Sequence, residues 1–367
     1  MSPPALSVLD LALVAAGSTT ADALSATTEL AIAADRLGYR RFWVAEHHNM
    51  PTVASTTPSV LMAHLAAHTQ HIRVGSGGVM LPNHSPLAVA EAFALLEALH
   101  PGRIDLGIGR APGSDRSTAA ILRRGAIQPI DGFPSDLLEV MALLGDIRIT
   151  DGLYTQVRAT PMATSSPTIA LLGSSDYSAR LSARLGLPFA FAHHFDTGGT
   201  EDALRIYRRD YTPSERHPEP HVIVTVSALA AETSERAEWL SAPTRLRRFA
   251  LRTGRHITLL SPEDANRHPD LGVALSMPSS HIAGDPQQVA SGLAQVTERF
   301  GADELMIASS AFDVADRSRI WSSSPWEDGD HGTYLRQRRH SCSDPPGLGP
   351  SLGSGDTCRV DGRCRID

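Results

Sequence analysis

Lysine is absent: all 33 residues counted as Lys or Arg in this 367-residue chain are arginine. Schiff-base chemistry needs a lysine amine, so aldolase-type and pyridoxal-phosphate mechanisms are excluded. Cysteine is nearly absent too. Cys342, Cys358 and Cys364 all lie near the C-terminus. No disulfide framework therefore holds the remainder, and a reducing cytoplasm is the expected compartment. Their spacing matches no CxxC or Cys/His zinc pattern. Positive charge is in deficit. A net charge of −7 and a pI near 6.1 argue against a nucleic-acid or acidic-membrane partner. No run is apolar enough to span a bilayer. Residues 5–16 have the length of a signal-peptide core, but no basic residue precedes them and Asp10 interrupts them. A buried first strand is the better reading.

What is present is alternation. Apolar runs at residues 6–14, 41–45, 72–75, 104–108, 168–172, 189–193, 222–228 and 305–308 read as strands. Helical patterns separate most of them. Leu24, Ala31, Ala34 and Leu37 recur at helical spacing until Gly38; residues 58–69, 86–99 and 178–185 follow suit. Before the last strand, Asp285 is placed as N-cap, Pro286 at the first helical position, and Gln288 to close a capping box. Val289, Leu293, Val296 and Phe300 mark one face of that helix, and Gly301 ends it. Eight strands with intervening helices predict an α/β fold, a (β/α)₈ TIM barrel with insertions at its C-terminal rim, over residues 1–321. The runner-up, a doubly wound sheet, lacks a Gly-x-Gly-x-x-Gly turn after the first strand. Residues 240–283 are weakly periodic and are expected to form a rim insertion able to act as a lid. Residues 322–367, rich in Ser, Gly, Pro and Arg, are expected to form a low-complexity, poorly ordered tail.

In such a barrel the chemistry sits where strands end. The second strand runs into Glu46, His47 and His48. Alternation puts Glu46 and His48 on one face and His47 on the other. Three ionisable groups after an apolar strand are costly unless used, and a histidine there can move protons near neutral pH. A polar strand end satisfied by loop hydrogen bonds is the plainer alternative. After the third strand, Gly77 and Gly78 allow close approach of a flat ligand, or simply a tight turn. After the fourth, Arg110 stands among small residues and suits a phosphate, though a surface arginine in a glycine loop fits equally well. After the fifth, Ser174, Ser175 and Ser178 surround a strand-to-helix turn whose backbone N–H groups can bind an anion or take ordinary caps. Together these strand ends suit one ligand with a phosphate tail and a flat head, the shape of flavin mononucleotide (FMN).

Several runs resemble the luciferase-like monooxygenase family. They are residues 42–48 (FWVAEHH), 73–82 (RVGSGGVMLP), 101–110 (PGRIDLGIGR), 171–175 (LLGSS) and 185–192 (LGLPFAFA), in family order. The resemblance covers roughly residues 5–315 and is nearest to antibiotic-cluster members such as the mensacarcin-type epoxidase. It implies a flavoprotein that uses reduced FMN, supplied by a separate NAD(P)H:flavin reductase, and O₂. The substrate would be a small organic molecule, such as an aromatic polyketide in antibiotic biosynthesis, that is epoxidised or hydroxylated. It implies a homodimer, and a cis peptide at Gly77–Gly78 under the flavin ring. The family's catalytic histidine maps onto His47, with Glu46 and His48 beside it. Its phosphate contacts map onto Arg110, Ser175 and Ser178; Ser174 stands where luciferase has a glutamate. The chain also departs from the family after Asp316 and Arg317, where a variable tail or a shifted reading frame near residue 318 would account for the low-complexity end. Three other functions remain open: an F420-dependent oxidoreductase on the same fold, a non-catalytic flavin carrier, and a metal-dependent hydrolase using Glu46, His47, His48 and His84.

Overall fold

The computed structural model describes residues 4–111, 113–122, 132–146, 148, 156–195 and 197–322. The expected tail therefore lies, from residue 323 onward, outside the described residues, as does Pro112 in the loop after Arg110. No described helix is long and apolar enough to cross a membrane.

The strands are β1 (Ala5–Asp10), β2 (Arg41–Val44), β3 (Arg73–Ser76), β4 (Val79–Met80), β5 (Ile104–Gly109), β6 (Thr168–Gly173), β7 (Phe189–Phe191), β8 (Val222–Ala230), β9 (Ile282–Gly284) and β10 (Glu304–Ala308). The helices are α1 (Thr20–Arg36), α2 (Pro58–His68), α3 (Pro86–Leu99), α4 (Arg116–Leu122), α5 (Phe133–Leu143), α6 (Asp176–Leu185), α7 (Thr200–Arg209), α8 (Ser234–Arg252), α9 (Pro262–Asn266), α10 (Leu271–Ser276), α11 (Pro286–Phe300) and α12 (Val314–Ser322). Eight parallel strands close into a barrel in the order β1-β2-β3-β5-β6-β7-β8-β10. The ring shuts because β10 pairs with both β8 and β1, for instance Leu305 with Val224 and Leu6. The expected (β/α)₈ barrel is the fold. β4 and β9 are short additions on β5 and the upper end of β8.

Strands sheathed by helices outside and packed inside read as unbroken apolar runs. β8 is the clearest case, with all nine residues buried. The capping box of Asp285 and Gln288 forms at α11, and Gly301 ends it in the left-handed region (φ +57°). Three boundaries differ from the sequence expectation. β1 stops at Asp10, not residue 14, because the Asp10 carboxylate accepts from the Ala12 N–H (3.0 Å) and the Thr27 hydroxyl (2.5 Å) and turns the chain. β7 stops at Phe191, and His193–Phe195 forms a 3-10 turn. Residues 240–252 are not insertion but the second half of α8. Arginines facing a cavity and Pro243 within the helix blur its period.

Charges occupy the N-terminal floor of the barrel. Arg41, the first residue of β2, spans Glu304 (Nε–Oε1 2.8 Å) and Asp105 (Nη1–Oδ2 3.0 Å). Asp105 also accepts from Arg73 (2.7 Å) and Trp43 Nε1 (3.0 Å); Glu304 accepts from Ser7 (2.5 Å) and pairs with His221 (3.1 Å). Burial alone would raise the Glu304 pKa, but Arg41 foremost among its partners holds it down, to about 2. This end of a barrel serves stability and leaves the other rim for chemistry.

Candidate active site

At the C-terminal ends of the strands lies a cavity of about 540 Å³, within the range of small-molecule sites. Its base is apolar: Leu9, Leu172, Ala190, Met306 and Ala308 point inward from the barrel. Its rim carries the polar groups.

His47 lines this cavity. Its backbone N–H donates to the Ser55 carbonyl (3.1 Å), which fixes the turn after β2. Its Nδ1 is buried and has no hydrogen-bond partner. Burial, then the charge of Arg247, pushes its pKa down to about 4 against a weaker upward pull from Glu46. The imidazole is therefore neutral at neutral pH.

Glu46 points the other way, as alternation requires. It is buried, 1% exposed. Its Oε1 accepts from His48 Nε2 (2.9 Å) and His84 Nε2 (2.7 Å), and its Oε2 from the Met80 N–H (3.2 Å). Burial works to raise its pKa, but the His84 and His48 contacts outweigh it and the pKa is lowered. None of Glu46, His48 and His84 lines the cavity. The structure thus brings Glu46 and His48 together behind His47 and not beside it in the pocket. The ligand atoms of Glu46, His48 and His84 lie within 4.8 Å of one another, the arrangement among the described residues that a metal would choose. Their mutual hydrogen bonds already account for the closeness.

On the opposite wall, Arg110 lies over the Tyr177 ring, 4.1 Å from its centroid, with no carboxylate partner. Ser174, Ser175 and Ser178 line the cavity beside it. Ser175 is the N-cap residue of α6, yet its hydroxyl makes no capping hydrogen bond. Asp176, the acid in that first turn, is exposed and turned toward Arg180 (3.5 Å). A cation without a counter-charge, a free serine hydroxyl and a helix N-terminus form a fitting seat for a phosphate. A side chain at Gly173 would strike Ser178 Oγ at 2.3 Å, so glycine is what lets this turn close.

The Gly77–Gly78 peptide is cis. Gly77 lines the cavity and Gly78 does not. A Cβ at Gly78 would lie 2.8 Å from the Gly107 carbonyl oxygen, and one at Gly77 would lie 2.6 Å from Leu9. The backbone carbonyl cannot give way, so packing demands glycine at position 78; at position 77 the Leu9 methyl could move aside.

One wall was missed in the sequence. Thr244, Arg247, Arg248, Leu251 and Arg252 recur at helical spacing and present one face of α8 to the cavity. The run of arginines between residues 245 and 252 was the available signal, hidden in a segment whose period looked weak.

A family model described as luciferase-like monooxygenase matches residues 5–304. The chain is 44% identical over 318 residues to the uncharacterized protein YvbT of Bacillus subtilis, covering 86% of this chain and 94% of that one. It is 42% identical over 314 residues to a luciferase-like monooxygenase of Escherichia coli, covering 84% and 92%. Among solved structures, apo-MsnO8 is 35% identical with a TM-score of 0.79, covering 88% of this chain and 98% of that one. Two barrels at 18% and 14% identity, one in complex with FMN and one F420-dependent, share the fold alone.

Proposed function

Since the chain belongs to the luciferase-like monooxygenase family, we propose that it inserts one oxygen atom from O₂ into a small organic substrate. Reduced FMN, delivered by a separate NAD(P)H:flavin reductase, is the proposed electron source. The observation that carries this reading is the pairing, within one cavity, of an uncompensated phosphate seat at Arg110, Ser175 and Ser178 with the neutral His47.

Bound reduced FMN supplies the two electrons that activate O₂. The chain's own residues do the rest. Arg110 and the Ser174–Ser178 turn hold the phosphate, Gly77 offers a flat wall, and the apolar base keeps water from the reacting atoms. His47 has a buried, unpartnered Nδ1 and a neutral ring. It can accept a proton there, becoming a cation that must pass the proton on, or in the other tautomer present its N–H as a hydrogen-bond donor. Glu46, gripped by His48 and His84, is a positioning residue. It anchors the turn from behind and lends His47 no direct contact.

The second reading, an F420-dependent oxidoreductase, is favoured by the arginines on α8, which suit a polyanionic cofactor. Aerobic and anaerobic incubations with reduced FMN and a panel of aromatic polyketides and other small organics separate the two. Turnover coupled to O₂ uptake supports the monooxygenase; equal turnover without O₂ sinks it.

A further inference from the structure

Among the described residues, the cavity lining contains four arginines, Arg110, Arg247, Arg248 and Arg252, and not one carboxylate. FMN would engage the first. The other three lie on α8, and two of them already have partners. Arg248 donates to the His194 carbonyl and to Ser279 Oγ (3.1 Å), and Arg252 to the Pro278 carbonyl (3.4 Å).

Arg247 differs. It lines the cavity, half-buried, and makes no hydrogen bond or ion pair with the described residues. Burial first, then the nearby Arg317, drives its pKa down to about 10, so it still carries its charge at neutral pH. The carboxylate at the top of β1 does not neutralise it. Asp10 is committed to the Ala12 N–H, the Thr27 hydroxyl and Arg317 (4.0 Å). A half-buried guanidinium with no counter-ion has given up part of its hydration, and an anion in the cavity can replace it.

Its position separates it from the phosphate seat. Arg110 and the serine turn follow β5 and β6. Thr244, one turn before Arg247, donates to the Ser310 carbonyl (3.3 Å) just past β10, and Arg317 and Asp10 lie at β10 and β1. In the ring order, the β5–β6 and β10–β1 junctions face each other across the barrel. Arg247 is also the charge that most depresses His47, so it stands on the side of the site where the proposed chemistry occurs.

We propose that Arg247 recognises a carboxylate on the substrate, so that this enzyme acts on small organic acids and holds them with their carbon skeleton toward His47. The proposal rests on the flavin monooxygenase reading for which reaction follows, but not for the anion site itself. A forked guanidinium and a carboxylate form two parallel charge-assisted hydrogen bonds.

The test compares binding of benzoate with that of its neutral isostere benzamide to the full FMN-loaded chain, by calorimetry, in wild type, R247Q and R247K. Wild type is expected to prefer benzoate by about 10- to 100-fold, the usual worth of a charge-assisted pair. R247Q should abolish the preference while leaving benzamide and FMN affinities within a few fold. R247K, which keeps charge but loses the fork, should fall between and serves alone if R247Q does not fold. A wild type with no preference overturns the proposal. So does an R247Q protein that keeps the preference, or one that loses FMN at least tenfold instead, which would assign Arg247 to the cofactor. If wild type binds no FMN at all, the same pair of probes is run on the unloaded chain. A benzoate preference there keeps the anion site and sinks the flavin reading.

Discussion

Replacing His47 with alanine removes a neutral imidazole that lines the cavity and leaves the phosphate seat untouched. Arg110, Ser175 and Ser178 follow other strands, so FMN affinity should stay within a few fold. Product formation should fall by about 10²–10⁴, the usual contribution of a positioned acid–base group. Reduced flavin and O₂ should still be consumed, with the lost turnover appearing as hydrogen peroxide. The wild-type pH profile carries a second signature. His47 has a pKa of about 4 against 6.5 for an ordinary histidine, and the neutral ring is the working form. Activity governed by His47 is therefore retained as pH falls through 6.5 and is lost only near 4. At pH 5.5 an ordinary histidine would be roughly 90% protonated, but His47 only about 3%. The assay is rapid mixing of reduced enzyme with O₂, scored for product and peroxide from pH 4 to 8, over the range in which the fold holds. Wild-type product yield from His47→Ala, or an acid limb centred at 6.5 that this variant abolishes, would refute the reasoning.

Arg110→Ala should weaken FMN binding by about 1.5–3 kcal/mol, as for a lost charge-assisted hydrogen bond, while riboflavin, which has no phosphate, is nearly unaffected; equal losses in a fluorescence titration would place Arg110 elsewhere. Glu304→Gln should destabilise the barrel by about 3–5 kcal/mol in urea denaturation, because Arg41 is left buried with half its partners. Glu304 also sets acid stability. Its folded pKa, about 2, lies below its ordinary 4.5, so its contribution, on the order of 3 kcal/mol, is full above pH 4.5 and is lost as pH falls toward 2. The wild-type protein should show that loss over this interval and Glu304→Gln should not.

The parts of the fold that sequence made legible are those in which local chemistry and global packing agree. The run that became β8 is apolar except for Thr225 and Ser227, both small enough to be buried with it, and Asp285, Pro286, Gln288 and Gly301 each carry a helix-end signal independent of tertiary contacts. α8 was illegible for the opposite reason. Its arginines face a cavity rather than solvent or core, so polarity no longer reports which side is outside. At the site, strict alternation after β2 separated His47 from Glu46 and His48, and the turns at Arg110 and Ser175 were legible as elements that meet in one cavity. Spacing could not show that His84, 38 positions from Glu46, would share its Oε1 with His48. Nor could it show that Gly78 lies so close to the Gly107 carbonyl that a side chain would clash, and stays out of the cavity wall.

The most direct test of the central claim is oxygen-isotope incorporation. Wild-type protein is charged with chemically reduced FMN, mixed with ¹⁸O₂ and a panel of aromatic carboxylic acids and their neutral analogues, and the products are read by mass spectrometry alongside O₂ uptake. The account predicts a product heavier by one ¹⁸O atom, with the second atom released as water, and no product under nitrogen. Substrate conversion that proceeds without O₂, or a product whose added oxygen comes from water, would contradict it.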